Sequence, residues 1–259
     1  MEKSKLEDYL KQGLSTRKIA DLEGIHRNTV SYYIGKYELI DNQRFKKNEN
    51  YRFEKIDSKE KAYILGFLLG DCHINHLNDV ELSLAIADKE VVEFIAEQIN
   101  SNVLLNRKVN KKKSQFPSAN THKRIKDIQK FTGGRLKPER HYPRVPKHLE
   151  RYLLQGFFDA EGSITWGRRK DRDRLWHKVS FTSHYKMLEG VQNLLMKLNI
   201  PTKVHPKSGE DCFVLEFANK EGITTFLNFI YPNDDFIVLK RKYTKASALR
   251  LELGEFGES

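Results

Sequence analysis

Two stretches of this chain repeat each other. AYILGFLLGDCHI, from Ala62 to Ile74, and YLLQGFFDAEGSI, from Tyr152 to Ile164, align without a gap at an offset of 90 residues. Gly66 stands opposite Gly156, Gly70 opposite Ala160, and Asp71 opposite Glu161. Each stretch reads as an apolar helix, and small residues four apart let two helix backbones approach more closely than side chains normally allow. Packed side by side about a pseudo-twofold axis, such helices bring Asp71 and Glu161 together at one end. Two carboxylates so placed repel each other unless a cation sits between them, and acids at the negative end of a helix dipole are misplaced as mere caps. The repeat therefore predicts one close-packed helix pair at the centre of a two-part fold, with a Mg²⁺ site (or Mn²⁺) at its end.

The segments after the two repeats share one grammar. HINHL and DVELSLAI read as strands, ADKEVVEFIAEQI as a helix, NVLLNRKV and a partner near KSQFPSA as strands, and THKRIKDIQKF as a helix. The second half gives strands SITWGRR and RLWHKVSFTS, the helix HYKMLEGVQNLLMKLNI, strands TKVHP and CFVLEFA, and a helix around KEGITTFLNFI. Each half is thus expected to be αββαββα, the first over 57–148 and the second over 149–259. In VELSLAI and HKVSFTS, alternation turns one face to the helices and leaves the other open.

Residues 1–40 read as a separate all-α module. LEDYLKQ stops at Gly13, Ser15 is placed to cap STRKIADLEG, Gly24 closes it, and IHRNTVSYYIGKYEL forms a third helix. The spacing resembles a helix-turn-helix, with small Ala20 where the helices touch, Gly24 in the turn, and Ile19, Ile25, Val30 and Tyr33 packing the pair. That leaves His26, Arg27, Asn28, Thr29 and Ser31 at the exposed start of a recognition helix. The polar stretch 41–56 has no sustained period and is expected to be a linker.

Charge points to a polyanionic partner. The chain of 259 residues has 46 Lys and Arg against 35 Asp and Glu, a net +11. Between Arg107 and Lys147 there are 14 basic residues and only two acids, so this stretch outweighs the whole surplus. With Phe116, Phe131 and Tyr142 interleaved, it reads as a phosphate-tracking surface, with Arg107, Lys108, Lys111, Lys112 and Lys113 as candidate contacts. Arg168, Arg169, Lys170 and Arg174 crowd a predicted hairpin, and His177 and Lys203 lie on strands that could face nucleic acid. Two distant cysteines, Cys72 and Cys212, build neither a disulfide framework nor a zinc site, which suggests a reducing compartment. A charged MEKSKLEDYLKQ start and the lack of any 18-residue apolar run point away from export and from membrane partners.

In its repeats and their flanking segments, the chain resembles the LAGLIDADG homing endonuclease family over roughly residues 57–252. LQGFFDAEG, Leu154 to Gly162, matches the nine-residue signature closely; ILGFLLGDC, Ile64 to Cys72, keeps the acid at Asp71 but has Leu69 in place of the earlier acid and Cys72 in place of the final Gly. The resemblance implies an α+β fold of two pseudo-symmetric αββαββα repeats forming a saddle that straddles DNA. It implies a site-specific endonuclease that cuts both strands and leaves 3′ overhangs. Asp71 and Glu161, with the backbone carbonyls of Cys72 and Gly162, would hold Mg²⁺ or Mn²⁺. GGRLKPERHYP and LKRKYTKAS resemble the segments that place a basic residue near each scissile phosphate, which makes Lys137 and Lys242 the candidates. Asp159 is then a helix-terminal hydrogen-bonding acid. Two signatures in one chain imply a monomer acting on double-stranded DNA with a long target site. The termini show no intein splice residues, so a free-standing or intron-encoded protein of the cytoplasm is expected, nucleoid-associated, or in the host cytosol if phage-encoded. A non-catalytic transcriptional regulator and an RNA-splicing maturase share this scaffold and stay open on sequence grounds.

Overall fold

The computed structural model describes residues 1–12, 14, 16–37, 39, 55–74, 79–99, 101, 103–109, 115–124, 128–169, 174–207, 211–232 and 236–254; for Lys11, Gly35, Asp79, 104–109, 115–124, Arg169 and Arg174 this is the backbone alone. The chain divides into two compact units, residues 1–51 and 52–259.

The first unit holds α1 (Lys3–Lys11), α2 (Thr16–Glu23) and α3 (Arg27–Lys36). Leu6, Leu10, Ile19, Ala20 and Val30 form its buried core, with Ile25, Tyr33 and Ile34 packed against it. Gly24 sits at φ +63°, the left-handed conformation that glycine adopts without penalty, and so lets the chain reverse from α2 into α3. His26 caps α3: its Nδ1 accepts from the Asn28 N–H at 3.2 Å. Glu23 ties the module together by accepting from the Tyr9 hydroxyl at 2.6 Å and pairing with Lys5 at 2.9 Å. Gly13 and Ser15, the expected stop and cap, lie outside the described residues, as does most of the expected linker.

The second unit opens with α4 (Lys59–Asp71), whose N-cap Ser58 accepts from the Lys61 N–H at 3.2 Å. Then come β1 (Cys72–Ile74), β2 (Asp79–Ala85), α5 (Lys89–Gln98), β3 (Val103–Val109), β4 (Gln115–Arg124) and the short α6 (Ile128–Thr132). The pattern restarts with α7 (Glu150–Glu161), β5 (Gly162–Arg169), β6 (Arg174–Ser183), α8 (Tyr185–Lys197), β7 (Lys203–Pro206), β8 (Phe213–Phe217), α9 (Lys220–Ile230) and α10 (Lys240–Glu252). Both sheets are antiparallel with the same strand order, β1-β2-β4-β3 and β5-β6-β8-β7. The expected duplication is therefore present in the topology itself.

Alternation works as expected where side chains are described. Val80, Leu82 and Leu84 are buried while Glu81 and Ala85 are exposed; Val179, Phe181, Leu215 and Phe217 are buried in the second sheet. The helices cover that side, α8 contributing Met187, Leu188, Val191, Leu194 and Leu195. Edge-to-face rings reinforce the second core, with Phe158 centred 5.3 Å from Phe181 and 5.0 Å from Phe226. One expectation is corrected: THKR is not helical but ends β4, paired with β2 from Asp79↔Arg124 onward. Pairing with β2 along the whole of this segment, from Leu82↔Thr121 to Asp79↔Arg124, outweighs its weak helical pattern, and the next described helix starts at Ile128.

Candidate active site

The site begins with two glycines. A Cβ on Gly66 would stand 2.1 Å from the Leu153 carbonyl oxygen, and one on Gly156 would stand 2.0 Å from that of Tyr63. Tyr63 and Leu153 are themselves 90 residues apart, so the two contacts exchange under the pseudo-twofold. Only glycine fits at either point. At the far end of the pair a Cβ on Gly70 would fall 2.6 Å from the Ala160 Cβ and 2.7 Å from the Glu161 Cγ. The Glu161 side chain therefore lies directly against the last turn of α4, next to Asp71.

The electrostatics match this convergence. Burial raises the Asp71 carboxyl above the usual range and Glu161 raises it further, while Lys137, Lys242 and Arg241 oppose the rise. Lys137, in a single 3₁₀ turn over Lys137–Glu139, brings its Nζ to 3.0 Å from Glu161 Oε1. The expected first-half lysine thus meets the second half's acid. Positive charge is favoured at this spot, and the donors around it are carboxylates and peptide carbonyls, the hard oxygen set that suits Mg²⁺ or Mn²⁺. Among the described residues no cluster of three or more His, Cys, Asp or Glu side chains forms a metal site. A metal here would be held by the acid pair and the carbonyls after it. Of those carbonyls, Cys72 O already accepts from Arg140 Nη2 at 3.3 Å.

Lys242 is placed differently from Lys137. It is 5% exposed, its Nζ donates to the Phe158 carbonyl at 2.5 Å, and it lies 5.2 Å over the Phe158 ring. Burial pushes its ammonium down to about 8, opposed first by the charge of Asp159. Asp159 is more than a helix-terminal acid. Fully buried, it accepts from the Tyr63 hydroxyl at 2.9 Å, from the Leu239 N–H at 3.2 Å and from the Tyr231 hydroxyl, and burial lifts it to about 6. Through Tyr63 it joins α7 to α4.

Arg140, which sequence patterns do not single out, belongs to this site. It is 1% exposed and donates to Leu68 O at 3.2 Å, Leu69 O and Arg135 O at 3.0 Å, and Cys72 O at 3.3 Å. The only signal for it is its place three residues after Lys137 in an already basic segment.

The candidate nucleic-acid contacts divide. At the start of α3, Arg27 and Asn28 are exposed and Thr29 is half-buried. The open side of the second sheet carries Ser163, Thr165, Lys178, Ser180 and Thr182, and exposed Lys203 on edge strand β7 stands opposite Glu216 in the strand register, where Glu216 takes Lys178 at 2.9 Å. Two expected contacts lie off that side. Arg168 shares the register of buried Ile164 and pairs with Glu252 at 2.9 Å. His177 shares that of Val179 and Phe181, and its Nδ1 is buried. A strand alternates strictly, so a one-residue difference moves a side chain to the opposite face. Arg107 and Lys108 lie on β3, and Arg169 faces Arg174 at the end of the β5–β6 pairing. Lys111, Lys112, Lys113 and Lys170 lie outside the described residues.

Comparison with known proteins bears on this geometry. Residues 148–231, which hold α7, the second sheet and α9, match the family model described as a LAGLIDADG-like domain. This segment belongs to the LAGLIDADG family. Solved structures extend the LAGLIDADG fold over both halves. The homing endonuclease I-WcaI bound to its DNA recognition sequence superposes with a TM-score of 0.51 at 17% identity, covering 72% of this chain and 85% of that one. The LAGLIDADG meganuclease I-AabMI bound to uncleaved DNA gives 0.53 at 12% identity, covering 74% and 91%. The I-LtrWI LAGLIDADG homing endonuclease bound to target DNA gives 0.53 at 12% identity, covering 76% and 91%. No curated protein sequence matches the chain. At these identities the likeness establishes the LAGLIDADG fold, and the chemistry rests on the acid pair and the cations around it.

Proposed function

We propose that this protein is a site-specific, metal-dependent endonuclease of double-stranded DNA that acts as a monomer, hydrolysing one phosphodiester on each strand to leave 3′ overhangs. The observation that carries the reading is the convergence of Asp71 and Glu161 across a helix pair that glycine brings into backbone contact. A purely structural helix pair gains nothing from two repelling acids at its end. The superposed structures of I-WcaI, I-AabMI and I-LtrWI are DNA-bound, which supports DNA as the substrate.

Asp71 and Glu161, with Gly162 O and Cys72 O, would hold Mg²⁺ or Mn²⁺; such an ion, when bound, supplies Lewis acidity and lowers the pKa of water. The chain's own residues do the rest. Lys137, exposed and already at Glu161, is placed to neutralise charge developing on a phosphate oxygen. Lys242 acts from below, its Nζ holding the Phe158 carbonyl in the last turn of α7, the helix that ends in Glu161. The open face of the second sheet, with Ser163, Thr165, Lys178, Ser180, Thr182 and Lys203, reads base edges and phosphates in the major groove. Arg27, Asn28 and Thr29 of the N-terminal helix-turn-helix add a second contact on the same DNA, and the Arg107–Lys147 run tracks phosphates.

The test uses supercoiled DNA that carries the encoding gene's own insertion site. Nicked and linear products should form with Mg²⁺ and not with EDTA. Asp71→Asn and Glu161→Gln should each reduce formation of the linear, double-cut product at least about a hundredfold while leaving affinity for the target within a few fold. Unimpaired cutting by either variant refutes the acid pair. DNA binding by the wild-type protein without cleavage in Mg²⁺ or Mn²⁺ would favour a regulator on this scaffold.

A further inference from the structure

We infer that Arg140 is the positioning residue for Asp71: it fixes the C-terminal turn of α4, so that cleavage of one DNA strand depends on it and cleavage of the other does not. The inference rests on the endonuclease reading.

A helix leaves its last carbonyls without backbone partners, and something must satisfy them where the end is buried. The two central helices solve this with different chemistry. At the end of α7, Phe158 O accepts from the N–H of Gly162, the C-cap, and from Lys242 Nζ. Its counterpart 90 residues earlier, Leu68 O, accepts from two side chains, Cys72 Sγ at 2.7 Å and Arg140 Nη1 at 3.2 Å. The positional equivalent of Lys242 in the first half is therefore Arg140, while Lys137, from the same segment, serves the opposite acid.

Arg140 does more than its counterpart. Its two terminal nitrogens also reach Leu69 O and Cys72 O, which lie on either side of Asp71 in the chain, and a fourth carbonyl, Arg135 O, ties the fork back to its own segment. A planar guanidinium offers its donors at fixed angles, so binding carbonyls before and after residue 71 restricts where the Asp71 Cα can sit. A lysine, with one ammonium on a flexible stem, cannot bracket a residue in this way. The cost is visible too. Arg140 Nε is buried without a hydrogen-bond partner, so the fork is oriented by those carbonyls and not by its own full satisfaction. This arrangement explains how the first signature tolerates Cys72 where the second has Gly162. Guanidinium and thiol take over a task that a glycine C-cap performs at α7.

The experiment measures single-turnover cleavage of a target duplex with each strand labelled separately, for wild type, Arg140→Met, Arg140→Lys and Lys242→Met, alongside target affinity in Ca²⁺ and thermal stability. Misplacing a reacting group by about an ångström costs up to about a hundredfold. Arg140→Met should therefore slow one strand by about tenfold or more and leave the other within about threefold, with affinity in Ca²⁺ unchanged. Arg140→Lys should slow the same strand less, and Lys242→Met should bias cleavage towards the opposite strand. Should Arg140→Met fail to fold, Arg140→Lys decides alone: a strand bias supports the inference. Equal slowing of both strands, or no slowing in a folded variant, overturns it. If the wild-type protein cuts and only the bias is missing, the inference fails by itself; if the wild-type protein cuts neither strand, the endonuclease reading fails and takes the inference with it.

Discussion

Gly156 has no side chain because the Tyr63 carbonyl oxygen occupies the space where one would be, and Gly66 stands in the same relation to Leu153. The obstacle in each case is backbone, which cannot swing aside as a side chain can. Gly66→Ala and Gly156→Ala should each destabilise the second unit by about 3 kcal/mol or more, the upper end of overpacking costs, as read from urea midpoints. Both should also lower cleavage beyond their effect on the folded fraction, because forcing α4 and α7 apart separates Asp71 from Glu161. Lys242 provides a second test at this scale. Its folded value of about 8 lies below the ordinary 10.5. Between those values the unfolded chain binds more protons than the folded one, so stability rises with pH across that window. Lys242→Met should flatten that rise, measured as urea midpoints at the two ends of the window. The glycines and the two acids are legible in the sequence because a repeat exposes them by self-comparison. Arg140 is not, since its partners Leu68, Leu69 and Cys72 lie about 70 residues earlier and carbonyls carry no residue-type signal. The Tyr63–Asp159–Tyr231 network is hidden for the same reason. It is also absent from the first repeat, where Leu69 stands at the position of Asp159.

At the scale of elements, period-two alternation locates most strands, and it fails where pairing overrides local preference, in the THKR end of β4. The same alternation could have ruled Arg168 and His177 off the open face of their sheet, since both share the parity of buried Ile164, Val179 or Phe181. It puts Trp176 on that face instead: the indole is 42% exposed and lies against Gly167, where a Cβ would come within 3.0 Å of Nε1. Gly167→Val should therefore displace the indole and weaken target binding without unfolding the sheet, as shown by reduced affinity in Ca²⁺ with an unchanged thermal midpoint. The basic stretch between β3 and β4 is tested by salt. Replacing Lys111, Lys112 and Lys113 with Ala should weaken specific and random DNA alike and flatten the log affinity against log salt slope by at most about 2.7, roughly 0.9 per lost phosphate contact. An unaltered slope with lost discrimination would make these lysines base readers.

Across the whole molecule, two units carry separate cores, Leu6, Leu10, Ile19, Ala20 and Val30 in one and the two-sheet core in the other. A chain lacking residues 1–51 should remain folded and cut in Mg²⁺, yet bind its full site more weakly and protect a shorter stretch of DNA, because linked modules gain affinity through effective concentration. The second unit itself has no such seam. Its halves share Asp159 with Tyr63, Lys240 of α10 holds Glu90 of α5 at 2.6 Å, and Arg241 holds Asp88 at 3.0 Å. The backbone contact of α4 with α7 has a kinetic consequence. Neither helix can lose its partner without exposing the core of both repeats, so a repeat cannot open alone. Amide protons along Leu65–Leu69 and Leu154–Phe158 should exchange at one common rate, the slowest in the protein, set by a single concerted opening of residues 52–259.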